Sequence, residues 1–369
     1  MRFKYDIHIP EDILQIAKVF KSNGFKLFVV GGAVRDSLLD KPIKDYDLAT
    51  DAKPDTVEKI MKKAGFKTLP TGKAFGVINV FTDSDEYEIA TFREDFGSGR
   101  RPDSVEFTTI ENDVKRRDLT INALFYDIES GEIVDLVGGV EDLKNGVIKT
   151  VGSPEDRFKE DRLRILRAVR FAARFGSELD PSVDDALKKD ANLNGVSPER
   201  IRDEFLKGLK TTKSVKHFMQ LITKYSLWDW IFRGIEHINV KPIEERDPAV
   251  LLAWILIYNK PEELSKMLNN LTYTKDETKA VTFLVSLRNF KVEKIVHFKK
   301  AQQRAGLSDD QIKKFIRLIG LDTKVFEAFL DFQLSVTGQD AMDAGITKGQ
   351  MIGQFINQKE IENFKSKLI

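Results

Sequence analysis

"KLFVVGGAVRDSLLDKPIKDYDLAT", Lys26–Thr50, decides how this chain is read. It begins with a short apolar run, Leu27–Val30, closed by two glycines, the pattern of a buried strand. Gly31 and Gly32 turn that strand into a helix-periodic segment. Without Cβ atoms, backbone N–H groups approach a phosphate closely, and a helix N-terminus favours anions. A purely structural turn is the plainer alternative. The turn is neither the dinucleotide G-x-G-x-x-G nor a P-loop, because no Gly-Lys-Ser/Thr follows. Next comes "KDYDLAT", which puts Asp45 and Asp47 two apart on an expected strand. At period two both carboxylates point to one face. Like charges that close call for a cation between them or a shared proton. Mg²⁺ suits a carboxylate pair completed by substrate phosphates. Two solvated acids at a strand end are the alternative, and the glycine turn thirteen residues upstream favours the metal–triphosphate site.

Outward from this stretch, residues 1–150 mix helices and strands. Ile13–Asn23 reads as an amphipathic helix, and "PDTVEKIMKKAGF" as a helix opened by Pro54 and Asp55. "AFGVINVF" and "EYEIATF" read as a hairpin around "TDSDE", and "TINALFYD" and "EIVDLVG" continue the sheet. From Ser153 onward the pattern is helical, with loops at Gly176, Gly195, Pro242 and Gly306, and no strand is expected after Thr150. The fold class is therefore α+β: a mixed-sheet head followed by a long all-helical part.

Composition bounds the function. A chain of 369 residues accommodates about two to three domains. Hydrophobic content of 41% and charged content of 32% fit a globular protein in water. The absence of cysteine excludes disulfides, thiolate zinc sites and a cysteine nucleophile, and it fits a reducing compartment. The N-terminus has no apolar core of signal-peptide type. The longest apolar run, Ala249–Tyr258, is far shorter than the ~20 residues a spanning helix needs. A cytoplasmic location without membrane contact is the expectation. Net charge is only +1, which excludes a uniformly basic polyanion binder. Arg157–Arg174 nevertheless holds seven basic and two acidic residues, so contact with a polyanion would run along a strip.

Three further segments carry polar groups in apolar surroundings. Glu88 alternates with Ala90 and Phe92, and is either a third carboxylate beside the aspartate pair or a solvated strand residue. Arg116, Arg117, Asp118 and Asn122 flank or interrupt the apolar run of "RRDLTINALFYD", Arg116–Asp127. In "EDRLRILRAVRFAARF", Glu160–Phe175, Asp161 and Arg164 are three apart and share a helix face. They are a surface ion pair, part of a basic strip, or a base reader. In the last case the carboxylate accepts from an exocyclic amino group and the guanidinium donates to ring nitrogens or carbonyls. Cytosine and adenine both offer an amino donor beside an acceptor.

The stretch Gly31–Thr50 resembles the first motif of the nucleotidyltransferase superfamily with a polymerase-β-like head. Arg116–Asp127, "DLVGGVEDL" (Asp135–Leu143), Glu160–Phe175 and "VSPERIRDEF" (Val196–Phe205) resemble its next four motifs in order. The chain is thereby similar to class II, the tRNA nucleotidyltransferases and bacterial poly(A) polymerases, and most similar to bacterial CCA-adding enzymes. The resemblance implies template-independent addition of CCA to the 3′ end of tRNA from CTP and ATP. It implies two Mg²⁺ ions on the catalytic Asp45 and Asp47, with Glu88 as a further candidate ligand. It implies triphosphate contacts from Gly31, Gly32 and Arg35. Arg116, Arg117, Asp118 and Asn122 would hold the sugar and nucleotide, and Asp161 and Arg164 would read the base. Asp36 would orient Arg35 or cap its helix. Arg162, Arg167, Arg170 and Arg174 share the remaining nucleotide or RNA contacts, undivided.

The implied layout is a head (1–150), a base-reading neck (151–210), an RNA-binding body (211–280) and a tail for the tRNA elbow (281–369). The implied partner is tRNA, through acceptor stem and elbow, and not DNA. Addition of A alone or of CC, or poly(A) synthesis, is the alternative within the family. An RNA-binding protein with a degenerate head is the non-enzymatic one. The loop-like "REDFGSGRRPDSVEF", Arg93–Phe107, favours complete CCA addition, since CC-only members of the family lack much of it.

Overall fold

In the computed structural model, which describes residues 1–97 and 104–368, Leu27–Val30 is a strand buried at all four positions. It is fully buried because it lies inside an eight-stranded sheet and both its faces are covered. The strands are β1 (Arg2–Lys4), β2 (Leu27–Val30), β3 (Asp47–Thr50), β4 (Lys67–Leu69), β5 (Val77–Phe81), β6 (Glu86–Thr91), β7 (Arg93–Phe96), β8 (Ser104–Phe107), β9 (Leu124–Asp127) and β10 (Glu132–Asp135). The sheet order is β1-β10-β9-β2-β3-β6-β5-β4, and β7 pairs with β8 separately. Every neighbour in the large sheet is antiparallel except β3 and β6. The chain between those two strands passes through a helix, as a parallel crossover requires.

Alternation along β2 sorts its side chains. Leu27 and Val29 join Leu48, Ile78, Val80 and Ile89 beneath helices α1 (Glu11–Ser22) and α3 (Pro54–Lys63), which contribute Ile13, Ile16, Phe20, Val57 and Met61. Phe28 and Val30 face the other way, with Ala49, Phe92, Phe125 and Val134. The rings of Phe28, Phe92 and Phe125 lie 5.5 to 6.3 Å apart, within aromatic contact. The segment after β2 forms α2 (Gly32–Leu38).

The first unit runs from Met1 to Val196, and further short elements complete it. They are α4 (Ile110–Asp113), α5 (Gly139–Asn145), α6 (Pro154–Glu160), α7 (Leu163–Phe175), α8 (Pro181–Asp190) and the two-residue strands β11 (Val147–Ile148) and β12 (Glu178–Leu179). Asp135 nucleates α5. Its Oδ1 accepts N–H bonds from Val137, Gly138 and Gly139, and its Oδ2 accepts from Val140. Asp142 accepts from Thr120 Oγ1 at 2.6 Å, tying this segment to Arg116–Asp127. Gly139 sits so tightly that an added Cβ would lie 2.1 Å from the Thr120 carbonyl oxygen. Gly139→Ala is expected to cost about 1–3 kcal/mol or more through overpacking. A urea unfolding midpoint measures it, and an unchanged midpoint would contradict this packing.

Three expectations differ from the structure. The strand β12 lies beyond Thr150; its pairing with β11 spans two residues, too few for a periodic signal. The flanks of Arg93–Phe107 are not loop but the ladder β7–β8, while Ser98 and Gly99 fall outside the described residues. The helix expected to run through Asp161 breaks there. Asp161 is extended (φ −149°, ψ 105°), and its Oδ1 accepts from the Leu163 N–H at 3.1 Å. That local bond competes with helix continuation and starts α7 afresh.

The second unit, Ser197–Ile369, has only helices and turns among its described residues. Phe205, Phe218, Trp228 and Phe232 pack as one aromatic cluster, and Phe290, Phe298, Phe326, Phe329 and Phe364 as another. No helix among the described residues is long and apolar enough to cross a membrane.

Candidate functional site

The glycine turn and the aspartates meet because β2 and β3 are neighbours. Val30, the last residue of β2, pairs with Asp47, the first of β3. Gly31 then leaves the sheet with φ +68° and ψ −118°, a conformation that favours glycine, and its N–H donates to the Leu124 carbonyl at 2.9 Å. Since β2 ends there, Asp45 has no partner on that side and lies just before the strand. The period-two expectation for both aspartates therefore covers only Asp47. Both carboxylates are solvent-exposed.

Glu88, also exposed, is one step before Ile89, which pairs with Leu48 in the parallel β3–β6 ladder. That register places Glu88 beside Asp47. Among the described residues no three His, Asp or Glu side chains converge in a metal-holding arrangement. Mg²⁺ does not need one: one or two carboxylates with water and phosphate oxygens suffice. The exposed, hard-oxygen pair Asp45 and Asp47 fits that ion.

Behind this edge runs a chain of charged contacts. Arg35, on α2, is 4% exposed. Its Nε and Nη2 each donate to Asp36 Oδ1 at 2.8 Å, Nη1 donates to Asn122 Oδ1, and its guanidinium lies over the rings of Phe171 and Phe175. Asp36 also accepts from Arg174 at 3.2 Å, so it orients Arg35, as expected. Asn122 donates to Asp118 at 3.4 Å, and Asp118 Oδ2 accepts from Arg167 Nε at 2.7 Å. Burial alone would raise the Asp118 pKa, but the Arg167 guanidinium outweighs it and holds the carboxyl below its ordinary value. The structure thus joins the glycine turn, Arg116–Asp127 and α7 into one network. It turns Arg35 inward rather than toward solvent, because an ion pair and two rings hold it there. Arg170 is 1% exposed and likewise faces the interior. Arg162 stands apart, donating to Asp190 at 2.8 Å.

Arg116 and Arg117 converge on a residue that sequence reading passed over. Asp113 is 1% exposed. Its Oδ1 accepts from Arg116 Nε at 2.9 Å and from the Arg93 N–H at 3.1 Å. Its Oδ2 accepts from Arg117 Nη2 at 2.9 Å. Arg116 also reaches Asp95 at 3.3 Å. The spacing of three and four residues from Asp113 to the two arginines was a usable signal.

Arg164 Nη1 donates to Glu160 Oε2 at 2.6 Å, and its Nη2 to the Arg116 carbonyl at 2.7 Å. Glu160 is therefore the residue that orients Arg164. Asp161, expected on the same helix face as Arg164, instead projects from the break between α6 and α7. Arg116, Arg157, Glu160 and Arg164 border a cavity of about 150 Å³, faced by Asp95 and Asn112.

Comparison with known proteins gives a consistent picture. A family profile described as "Poly A polymerase head domain" matches residues 27–149. Another, "Probable RNA and SrmB-binding site of polymerase A", matches residues 177–238. The chain is 33% identical over 383 aligned positions to a CCA-adding enzyme of Ligilactobacillus salivarius, spanning 96% of this chain and 93% of that protein. It is 43% identical over 213 positions to a CCA-adding enzyme of Bacillus subtilis, spanning 57% and 52% of the two chains. A crystal structure of the Bacillus stearothermophilus CCA-adding enzyme in complex with CTP superposes with a TM-score of 0.71 at 28% identity, over 97% of this chain and 93% of that one. The Thermotoga maritima CCA-adding enzyme complexed with a tRNA shares the fold, with a TM-score of 0.68 at 19% identity, over 96% and 92% of the two chains.

Proposed function

The chain belongs to the CCA-adding enzyme family, and from that membership we propose how its residues divide the work. The reaction is the template-independent addition of CCA to the 3′ end of tRNA, from CTP and ATP, with release of pyrophosphate. The observation that carries the assignment of roles is the network Arg174–Asp36–Arg35–Asn122–Asp118–Arg167. It locks the glycine turn and the base-reading helix to one frame beside Asp45 and Asp47.

Asp45 and Asp47 hold Mg²⁺, with Glu88 beside Asp47 as a further candidate. Bound Mg²⁺ supplies charge neutralisation for the triphosphate and eases ionisation of the attacking 3′-hydroxyl. Gly31 and Gly32 leave space for the phosphates at the start of α2. Arg35, fixed beneath the turn, adds positive potential there. Asp118 and Asn122, held by Arg167 and Arg35, face the ribose, and Arg116 and Arg117 border the nucleotide. Arg164, oriented by Glu160 and the Arg116 carbonyl, reads the base together with Asp161. Arg162, Arg167 and Arg170 are frame or RNA contacts. The division of the chain into head (1–150), neck (151–210), body (211–280) and tail (281–369) is part of this reading, as is a cytoplasmic site of action.

Arg164→Ala tests the base reader. Loss of one two-point base contact removes about 1–3 kcal/mol of discrimination, so preference for CTP and ATP over UTP and GTP should fall by roughly 5- to 150-fold. Single-nucleotide incorporation with each NTP measures it. Unchanged selectivity would remove Arg164 from base reading.

A further inference from the structure

Of the two carboxylates assigned to the metal, Asp45 has no place in the sheet. β3 begins at Asp47, and among the described residues the N–H groups of residues 43–46 make no main-chain hydrogen bond. Asp45 is also exposed, as is Lys44 before it. A ligand left loose in this way loses conformational freedom when it takes up a metal ion, which weakens binding. Something other than the ladder has to hold it.

The residue between the aspartates does so. Tyr46 and Leu48 flank Asp47 at period two, and both join the core layer beneath α1 and α3. The Tyr46 hydroxyl donates to the His8 carbonyl at 2.7 Å. His8 lies in a strap, residues 5–10, that is fixed independently. The Tyr5 N–H donates to the Gly131 carbonyl at 3.1 Å, Ile7 is buried in the same core layer, and the Pro10 carbonyl opens α1 by accepting from the Leu14 N–H at 3.1 Å. The loop that carries Asp45 is tied to this strap at its other end as well, because the Tyr5 hydroxyl donates to the Ser37 carbonyl on α2 at 3.2 Å. The chain from α2 to β3 is thus pinned twice to one strap, and the pin beside the carboxylates is a single phenolic hydroxyl.

We propose that Tyr46 is a positioning residue for nucleotidyl transfer: anchored on the His8 carbonyl, it holds Asp45 where it shares a metal ion with Asp47. This rests on the assignment of Mg²⁺ to the two aspartates made above. A phenylalanine would fill the same place in the core, so packing alone does not call for the hydroxyl; the bond to the strap does. The net worth of one such bond corresponds to a factor of about 2 to 10 in an equilibrium.

The test compares Tyr46→Phe with Tyr5→Phe in the full-length protein. Each variant removes one hydroxyl bonded to a main-chain carbonyl, the first beside the carboxylates and the second at the α2 end of the same loop. Both should lower the melting temperature alike, by no more than about 6 °C. One readout is Mn²⁺ titrated without nucleotide or RNA and followed by electron paramagnetic resonance. The other is the Mg²⁺ concentration that gives half-maximal single-turnover incorporation. Tyr46→Phe is expected to weaken Mn²⁺ binding and raise the Mg²⁺ requirement about 2- to 10-fold, with the rate largely restored at high Mg²⁺ and tRNA affinity unchanged. Tyr5→Phe is expected to leave both metal readouts as in wild type. Unchanged metal readouts in Tyr46→Phe overturn the proposal. So does an equal change in the two variants, which marks a general loosening of the strap. Asp47→Ala separates this failure from failure of the catalytic reading. If it leaves Mn²⁺ binding intact, the metal assignment falls and the proposal with it. If it abolishes Mn²⁺ binding while Tyr46→Phe does not weaken it, only the role of Tyr46 falls.

Discussion

Asp45→Ala or Asp47→Ala is expected to abolish nucleotide incorporation, a loss of about 10³-fold or more, while tRNA affinity stays within about twofold. The two carboxylates are the hard-oxygen donors at the edge where β2 hands the chain to the glycine turn. A divalent ion there is worth several kcal/mol of transition-state stabilisation, and each 1.36 kcal/mol is tenfold in rate. Both side chains are exposed, so their removal should change stability by no more than about 0.5 kcal/mol. Single-turnover incorporation and a binding assay on the same preparations measure the two effects. If tRNA affinity falls in parallel with incorporation, the aspartates are structural.

Asp113→Ala is expected to destabilise the first unit by about 3–5 kcal/mol, the range for breaking a buried ion pair from one side. Both arginines that clamp Asp113 are largely shielded from water, with side-chain exposures of 22% for Arg116 and 16% for Arg117. For a unit of this size the loss corresponds to a fall in melting temperature of roughly 6–20 °C. Burial by itself would raise the Asp113 pKa, but Arg117 and Arg116 overcome it and hold the carboxyl below its ordinary value. A carboxyl with a lowered folded-state pKa contributes fully above its unfolded value, and the contribution drains away as pH falls through the folded one. The difference between wild type and Asp113→Ala should thus be complete at neutral pH and shrink below about pH 4. Asp113→Asn keeps the shape and the contact with the Arg93 N–H but loses the charge, so its deficit should be intermediate. A deficit below about 1 kcal/mol for Asp113→Ala would show that the clamp is solvent-screened. Because the Arg116 backbone carbonyl also accepts from Arg164, loss of base selectivity in Asp113→Asn would tie this clamp to the proposed base reader.

The strand–turn–helix–strand core of the head was legible because its signals are local. Leu27–Val30 is apolar throughout, two glycines close it, and the pair Asp45 and Asp47 follows at short range. The β5–β6 hairpin was legible for the same reason. What escaped depends on partners distant in sequence or on single side chains. Apolar periodicity continues across Asp161, so nothing in the pattern revealed that its side chain would cap Leu163 and split α6 from α7. β11 and β12 are too short to announce themselves. Arg35 and Arg170 looked like solvent-facing phosphate ligands because charge in a sequence carries no depth. The burial of Arg35 depends on contacts with α7, where Phe171 and Phe175 receive it, and Arg170 lies on the inward face of α7 itself. Asp113 was hidden in a charged segment where an acid reads as solvated.

The most direct test of the central claim offers the enzyme four RNAs with single and mixed NTPs. They are a tRNA transcript lacking CCA, one ending after CC, a complete one, and an unrelated RNA. The account predicts three additions to the first from CTP and ATP, one A to the second, and none to the complete tRNA or the unrelated RNA. One A on the CC-ended transcript with no addition to the transcript lacking CCA, CC without A, or long tails on any RNA would contradict it.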